Sequence, residues 1–463
     1  MFLTLPAFAG GQAIGRRAAL STAHPLATRV GLDVLSRGGN AIDAAVAVSF
    51  ALAVVHPQAG NLGGGGFLIY YDAKTKGVWT LDFREVAPAA AKRDMFAADA
   101  NASRSGPLSS AIPGSVAGIE AMYRRFGSQP WGELMAPSIR IASEGFKVDG
   151  DLARDLDKAK RERNIDVFGK PLAAGETLVQ TELAATLQRI ALGGAKEFYE
   201  GETAKRLVDG LHPAGGNFGY RDLREYQPIW RAPIRIRFGE YDLYTTAPPS
   251  SGGLVIGEVL NILSAYPMRS FGFQTPRALH YLVEAQRRAY IDRNKYLGDP
   301  GTSRIPYREL LSAERAALWR KSIDANRATP SVTLAEPGTT MAERDHTTHF
   351  TIVDGHGNIA AITTTLNDNF GNGVMVPGCG FLLNNTMDDF TASPGTPNRY
   401  GLIQGYANAI DPGKRMASSM SPTIILKNGA PFLALGTRGG PTIPNTILQV
   451  FLDVAIYGKS LSD

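Results

Sequence analysis

Apolar positions fall at helical spacing through "ATRVGLDVLSRGG", Ala27 to Gly39, and the pattern stops at Gly38-Gly39, a glycine stop. Asn40 follows as an N-cap for "AIDAAVAVSFALAVV", with Asp43 in the first turn, where the helix dipole favours a carboxylate. Ala44 to Val55 is the longest apolar run. It is too short to span a bilayer and suits a buried helix. Gly63 to Gly66 then lead into a strand, "FLIYYD". A phosphate-binding loop needs a Gly-Lys-Ser/Thr ending that this run lacks, so the glycines read as sites of close backbone packing. Residues 96–320 alternate helical patterns with turns. Ser250 and Ser251, in "TAPPSSGGLVIGEVLNILSAY", sit outside any G-x-S-x-G elbow and read as loop residues. Residues 326–346, "NRATPSVTLAEPGTTMAERDH", are polar and aperiodic and are expected to be mobile.

Two strongly patterned hairpins follow. The first reads as strand "HFTIVD", turn "GHGN" and strand "IAAITTTLN". Pairing Asp354 with Ile359 sets Thr347 opposite Leu366, with Thr365 and Asn367 beside it; a slip of one residue changes which of them shares its face. The second hairpin turns at Asn428-Gly429. Pairing Lys427 with Ala430 sets Ser418 opposite Gly439 and Ser419 opposite Arg438. Gly439-Gly440 shortly precede a helical stretch, "NTILQVFLDVAIYG", so their N–H groups are suitable oxyanion donors. The change from loose chain to regular strand at Thr347 has two readings. Either a loop ends there, or the chain is cut there and a threonine becomes a new N-terminus.

Composition narrows the class. The chain has 463 residues, 44% hydrophobic and 20% charged, with a net charge of +5. That is ordinary for a globular protein. The most basic stretch, "KAKRER" at Lys158 to Arg163, follows "DLARDLD" and reads as a solvated helix face, not a nucleic-acid patch. A single cysteine, Cys379, excludes an intrachain disulfide and reads as a small buried residue. Ala7-Phe8-Ala9 before Gly10 has the small-x-small form of a secretory signal end. Residues 1–17 are therefore read either as a clipped signal, which places the protein in the periplasm or outside the cell, or as a plain disordered tail. Neither an integral membrane segment nor a metal or organic cofactor site is expected.

"DAAVAVSFALAVVHPQAGNLGGGGF", "LDFREVAP", "TTHFTIVDGHGNIAAITTTLN", "LLNNTMDDF", "PNRYGLIQGYANA" and "SSMSPTIILKNG" closely resemble the gamma-glutamyltranspeptidase family, in the family's order from about Ala18 onward. The resemblance implies an α+β fold, the four-layer αββα sandwich of N-terminal nucleophile hydrolases. It also implies a precursor that cuts itself between His346 and Thr347. Residues 18–346 would form a large subunit and 347–463 a small one, together in one fold. A threonine hydroxyl needs a base, and the seven histidines form no evident triad. Cutting frees the α-amine of Thr347, whose ordinary pKa of about 7.7–8.0 suits it as the base. By resemblance, Thr347 attacks the γ-glutamyl amide, Thr365 positions it, and Gly439 and Gly440 hold the oxyanion. Arg84, Ser418 and Ser419 would hold the α-carboxylate, a group that a guanidinium grips at two points. Asn367 and Asp389 would hold the α-ammonium, and Tyr400 would close the site. The expected partner is a small γ-glutamyl compound such as glutathione, which passes its γ-glutamyl group to water, an amino acid or a peptide.

Three departures qualify the resemblance. Thr386 stands where many members carry a longer polar residue against the α-ammonium. Arg438, in "GTRGG", adds a cation near the oxyanion loop. The chain ends at "YGKSLSD", where family small subunits continue, so the small subunit is expected to be incomplete. Two other functions compete. One is a β-lactam side-chain acylase taking glutaryl groups, with less use for Asn367 and Asp389. The other is an uncut, silent relative that acts as a binding protein.

Overall fold

A computed structural model describes residues 14–334, 347–391 and 404–461. His346, Tyr400, most of the expected mobile segment and the Ala7-Phe8-Ala9 motif lie outside the described residues.

Strands β1 (Ala19–Ser21), β2 (Gly65–Asp72), β3 (Gly77–Phe83), β6 (Ile229–Arg231), β9 (Thr347–Val353) and β10 (Ile359–Thr365) form a six-stranded sheet in the order β1-β9-β10-β2-β3-β6. Strands β7 (Ile234–Phe238), β8 (Tyr241–Thr245), β11 (Thr423–Lys427) and β12 (Ala430–Leu435) form a second sheet, β12-β11-β8-β7. All these pairings are antiparallel. Short strands β4 (Phe146–Lys147) and β5 (Thr177–Leu178) pair separately.

Side-chain alternation assigns the layers. Ile69, Tyr71, Ile359 and Ala361 meet Ile424 and Leu426 between the two sheets. Their neighbours Leu68, Tyr70, Ala360 and Ile362 point the other way, into a core with the Ala41–Val55 helix. That helix is apolar on nearly every face and is buried throughout, as its sequence demands. Asn40 and Asp43 close a capping box at its start. Behind the second sheet, Leu243 and Ile425 pack with residues of the Gly252–Leu263, Pro276–Tyr296 and Ile443–Ala455 helices. Helix, sheet, sheet, helix is the αββα order that the resemblance implies. Among the described residues no helix is long and apolar enough to cross a membrane.

Both hairpins correct the expected register. In the first, Ile359 pairs with Val353, not Asp354, and Thr347 therefore pairs with Thr365, not Leu366. Asp354 belongs to the loop. Its carboxylate accepts the N–H groups of His356 and Asn358 at 2.9 and 3.0 Å, and its other oxygen accepts Ala41 N at 2.9 Å. In the second, Lys427 does pair with Ala430, but the register shifts between Ile425 and Leu426. Pro431, which cannot donate to a ladder, sits at this bulge. The ladder ends at Thr423 and Leu435, so Ser418 does not face Gly439; it pairs in parallel with Ser250.

Of the basic stretch, Lys158, Lys160 and Arg161 are exposed, but Arg163 folds back onto the carbonyls of Asn369, Gly371 and Arg104, at 3.0, 2.7 and 3.2 Å. Thr329, at the start of the expected mobile segment, donates its hydroxyl to Glu284 at 2.6 Å. Cys379 is free and fully buried, which raises its thiol pKa to about 12.

Candidate active site

One end of the six-stranded sheet brings together two of the expected catalytic residues, Thr347 and Thr365. Thr347 pairs with Thr365, and Thr365 pairs with Gly65. The Thr347 and Thr365 hydroxyls are 3.5 Å apart, the outer edge of hydrogen-bonding distance, and both residues are buried. Thr365 Oγ1 also accepts Asn367 N at 2.9 Å. Asn367 has φ +78°, in the left-handed region that asparagine tolerates. Its amide donates to the Asn385 carbonyl at 3.0 Å. The Gly63–Gly66 run allows these strands to meet. A Cβ on Gly64 would lie 2.1 Å from Thr365 O, and one on Gly65 would lie 2.6 Å from Phe83 O and 2.7 Å from Glu85 Oε2.

Arg84 leaves β3 at this same end. Its guanidinium is buried and donates to Glu85 Oε2 at 3.0 Å, to the Asp389 carboxylate, and to Ala417 O at 3.4 Å. Burial works against its charge, but Glu85 and Asp389 outweigh that and raise its pKa. Glu85 has the reverse balance. Burial lifts its pKa to about 7, with Arg84 opposing. Arg84 and Asp389 are thus one ion pair, so the expected grips on carboxylate and ammonium are adjacent.

The "LLNNTMDDF" segment is tied to the threonines through Asn385. Asn385 N donates to Leu366 O at 3.0 Å, and its side-chain amide exchanges hydrogen bonds with Asp368, N to Oδ1 at 3.0 Å and Nδ2 to Oδ2 at 2.9 Å. Thr386 is fully buried and donates its hydroxyl to Asn384 Oδ1 at 2.7 Å.

Ser418 and Ser419 follow Ala417, which touches Arg84. Ser418 N donates to Pro249 O at 2.9 Å, and its hydroxyl accepts Met420 N at 3.2 Å. Ser250 and Ser251 are buried supports here: Ser250 Oγ donates to Met420 O and Ser251 N to Ser418 O, each at 2.7 Å. Gly439 (φ +131°) caps, and Gly440 (φ +54°) opens, a short 3₁₀ turn that leads into the Ile443–Ala455 helix. The loop before them packs on β9, because a Cβ on Gly436 would sit 2.0 Å from the His349 ring. His349 is half-buried, its ring nitrogens meet the Thr363 and Thr351 hydroxyls, each at 2.9 Å, and desolvation lowers its pKa to about 3.

Two supports were not anticipated from sequence. Arg415 is buried against Asp82 at 3.3 Å and donates to Arg84 O at 2.6 Å. Tyr290, on the Pro276–Tyr296 helix, donates to Pro441 O. Tyr290 is a single polar residue on a long helix and Arg415 lies outside any helix or strand, and no local pattern marks either. A cavity of about 1000 Å³ opens beside Thr347, Thr348 and His349, with Gly436, Thr437 and Arg438 on its wall and the charged Gly150–Arg163 helix opposite. Arg84, Asp389, Ser418 and Ser419 are not part of its wall.

The family model described as gamma-glutamyltranspeptidase matches residues 27–463. A glutathione hydrolase proenzyme of Pseudomonas sp. (strain A14) is 44% identical over 457 residues, 96% of this chain and 79% of the relative. One from Escherichia coli (strain K12) is 42% identical over 451 residues, 94% of this chain and 78% of the relative. A solved cephalosporin acylase from Bacillus halodurans superposes with a TM-score of 0.83 at 28% identity, covering 99% of this chain and 85% of its own. The chain belongs to the gamma-glutamyltranspeptidase family.

Proposed function

We propose that this chain is an autoprocessing N-terminal threonine hydrolase and transferase of γ-glutamyl amides, glutathione among them. The observation that carries the reading is the pairing of Thr347, at the first position of β9, with Thr365 at 3.5 Å. The reading divides the precursor between His346 and Thr347 into residues 1–346 and 347–463. The relatives' name, proenzyme, agrees with such a cut. An exported location, periplasmic or secreted, is supported by the Ala7-Phe8-Ala9 motif.

In the proposed reaction, the freed α-amine of Thr347 takes the proton from its own Oγ1 as that oxygen attacks the γ-carbonyl carbon. The N–H groups of Gly439 and Gly440 receive the oxyanion. The C–N bond breaks, the proton passes to the leaving amine, and a γ-glutamyl ester remains on Thr347. Water or an acceptor amine then attacks the ester, giving its proton to the α-amine, and the Thr347 α-ammonium returns that proton to the Thr347 oxygen as it leaves. Arg84, Ser418 and Ser419 hold the α-carboxylate, and Asp389 and Asn367 the α-ammonium. Tyr400 closes the site by resemblance alone.

A glutaryl acylase is the second reading, favoured by the likeness to a cephalosporin acylase. A carboxylate beside Arg84, from Asp389, favours a donor that carries an ammonium. Intact mass of the purified protein and of Thr347→Ala is the test, with turnover of γ-glutamyl and glutaryl amides. Two fragments meeting at His346–Thr347 in the wild type only, with γ-glutamyl turnover, is the expected result. An uncut, inactive wild type would overturn the proposal.

A further inference from the structure

The Pro276–Tyr296 helix turns one face toward the candidate site. Tyr290 and Arg293, three residues apart, share that face. Tyr290 reaches Pro441, next to Gly440. Arg293 reaches Ser419: its Nη2 donates to Ser419 Oγ at 3.4 Å, and its Nη1 donates to Asn294 Oδ1 at 3.0 Å.

Arg293 differs from the other buried arginines. Arg84, Arg288 and Arg415 each form an ion pair with a carboxylate. Arg293 is only 3% exposed, makes no ion pair among the described residues, and its Nε has no hydrogen-bond partner. A guanidinium remains protonated in proteins. Burial works against the Arg293 charge and outweighs the support that Asp389 gives it through space without forming an ion pair with it, so the buried charge is only partly compensated and costly. A site that receives an anion resolves that cost. Ser419 is only partly buried, and its hydroxyl oxygen accepts from Arg293 while its own proton has no acceptor among the described residues. That proton is therefore available to an incoming carboxylate.

We infer that Arg293 is a positioning residue for the α-carboxylate of the donor: it orients the Ser419 hydroxyl and supplies the second cation, beside Arg84, that the carboxylate neutralises. The inference rests on the γ-glutamyl reading above. It predicts a contribution specific to the carboxylate end, whereas a merely structural arginine would affect every ligand alike.

The test is calorimetric binding of L-glutamate and of 4-aminobutyrate, which is glutamate without its α-carboxylate. Wild type, Arg293→Met and Arg293→Lys are compared, with chain cutting followed by mass as a check on folding. Wild type is expected to prefer glutamate. Arg293→Met should weaken glutamate about tenfold or more, the scale of a hydrogen bond to a charged group, and leave 4-aminobutyrate unchanged. Arg293→Lys, which keeps the charge but not the fork, should fall between. Equal weakening of both ligands, or no weakening of glutamate in either variant, overturns the inference. If Arg293→Met does not fold, Arg293→Lys decides by the same comparison. A wild type that is cut but shows no preference for glutamate overturns the γ-glutamyl reading itself, and the role of Arg293 with it.

Discussion

Thr347 and Thr365 are direct partners at the first rung of the β9–β10 ladder, and their hydroxyls are 3.5 Å apart. Thr365 Oγ1 is held from the other side by Asn367 N at 2.9 Å. One lone pair of Thr365 is thus fixed by backbone, and the other faces Thr347. Thr365→Ala removes that acceptor without disturbing the ladder. Cutting and turnover should both slow by about tenfold or more, as for loss of one positioned hydrogen bond in a transition state. Thr365→Ser should keep most of both rates. A time course of chain mass and steady-state turnover measure this, and wild-type rates in Thr365→Ala would refute the role.

Arg84 and Asp389 form the second testable unit. Asp389→Asn keeps the shape but removes the charge proposed to face the α-ammonium and half of the Arg84 pairing. The KM for a chromogenic γ-glutamyl anilide should rise by about tenfold or more, with a smaller fall in kcat. Arg84→Lys should not preserve activity, because a lysine cannot reach Glu85, Asp389 and Ala417 together as the fork does. Steady-state kinetics on purified, cut enzyme decide it. An unchanged KM in Asp389→Asn would remove Asp389 from the donor site.

Much of the framework was legible because it is locally encoded. Asn40 and Asp43 mark a helix start, and Asn428-Gly429 marks a turn, by residues within one turn of the event. The Thr347 register was not legible. It depends on Asp354 leaving the strand to bind His356, Asn358 and, from 313 residues away, Ala41. Ser418 was misplaced for a related reason: Pro431 bulges the hairpin, and Ser418 finds its partner in Ser250 instead. Of the expected site residues, Thr347, Thr365 and Asn367 are joined by hydrogen bonds, Arg84 and Asp389 form an ion pair that touches Ala417 just before Ser418 and Ser419, and Gly439 and Gly440 lie beside Pro441, which Tyr290 holds. Thr386 is turned to Asn384. Arg293 had no sequence signal, because a polar residue on a long helix is ordinarily a solvent-facing one.

Glu258 makes a prediction away from the site. It is buried on the Gly252–Leu263 helix beside Asp292, and burial followed by that like charge raises its pKa to about 10. Asp292 itself is held by Arg315 and Trp319. The folded pKa lies above the unfolded one, so Glu258 contributes most at low pH, and that contribution is lost as pH rises toward 10. Glu258→Gln mimics the neutral acid. It should stabilise the protein at pH 8, by about 1–3 kcal/mol in urea unfolding, and the gain should shrink toward pH 5. A gain that does not depend on pH would mean that Glu258 is not the protonated group.

His349 carries the opposite sign. Its half-buried ring sits between two threonine hydroxyls and against Gly436, and desolvation brings its pKa down to about 3. The unfolded chain takes up this proton near the ordinary histidine value of 6.5. Between those values the unfolded state binds more protons than the folded one, so stability rises with pH. The contribution of the neutral ring is complete above pH 6.5 and is lost progressively as pH falls toward 3. His56, lowered to about 4 chiefly by burial, adds in the same direction. Unfolding free energy should therefore fall from pH 7 to pH 5, with His349 supplying a slope of up to about 1.4 kcal/mol per pH unit. His349→Gln keeps a polar side chain that does not titrate. It lowers stability at pH 7, but the slope below pH 6.5 should flatten by that amount. Urea midpoints measured at several pH values separate the two effects, because lost packing shifts every midpoint while the lost titration changes only the slope. An unchanged slope in His349→Gln would show that the ring is not held neutral by the fold.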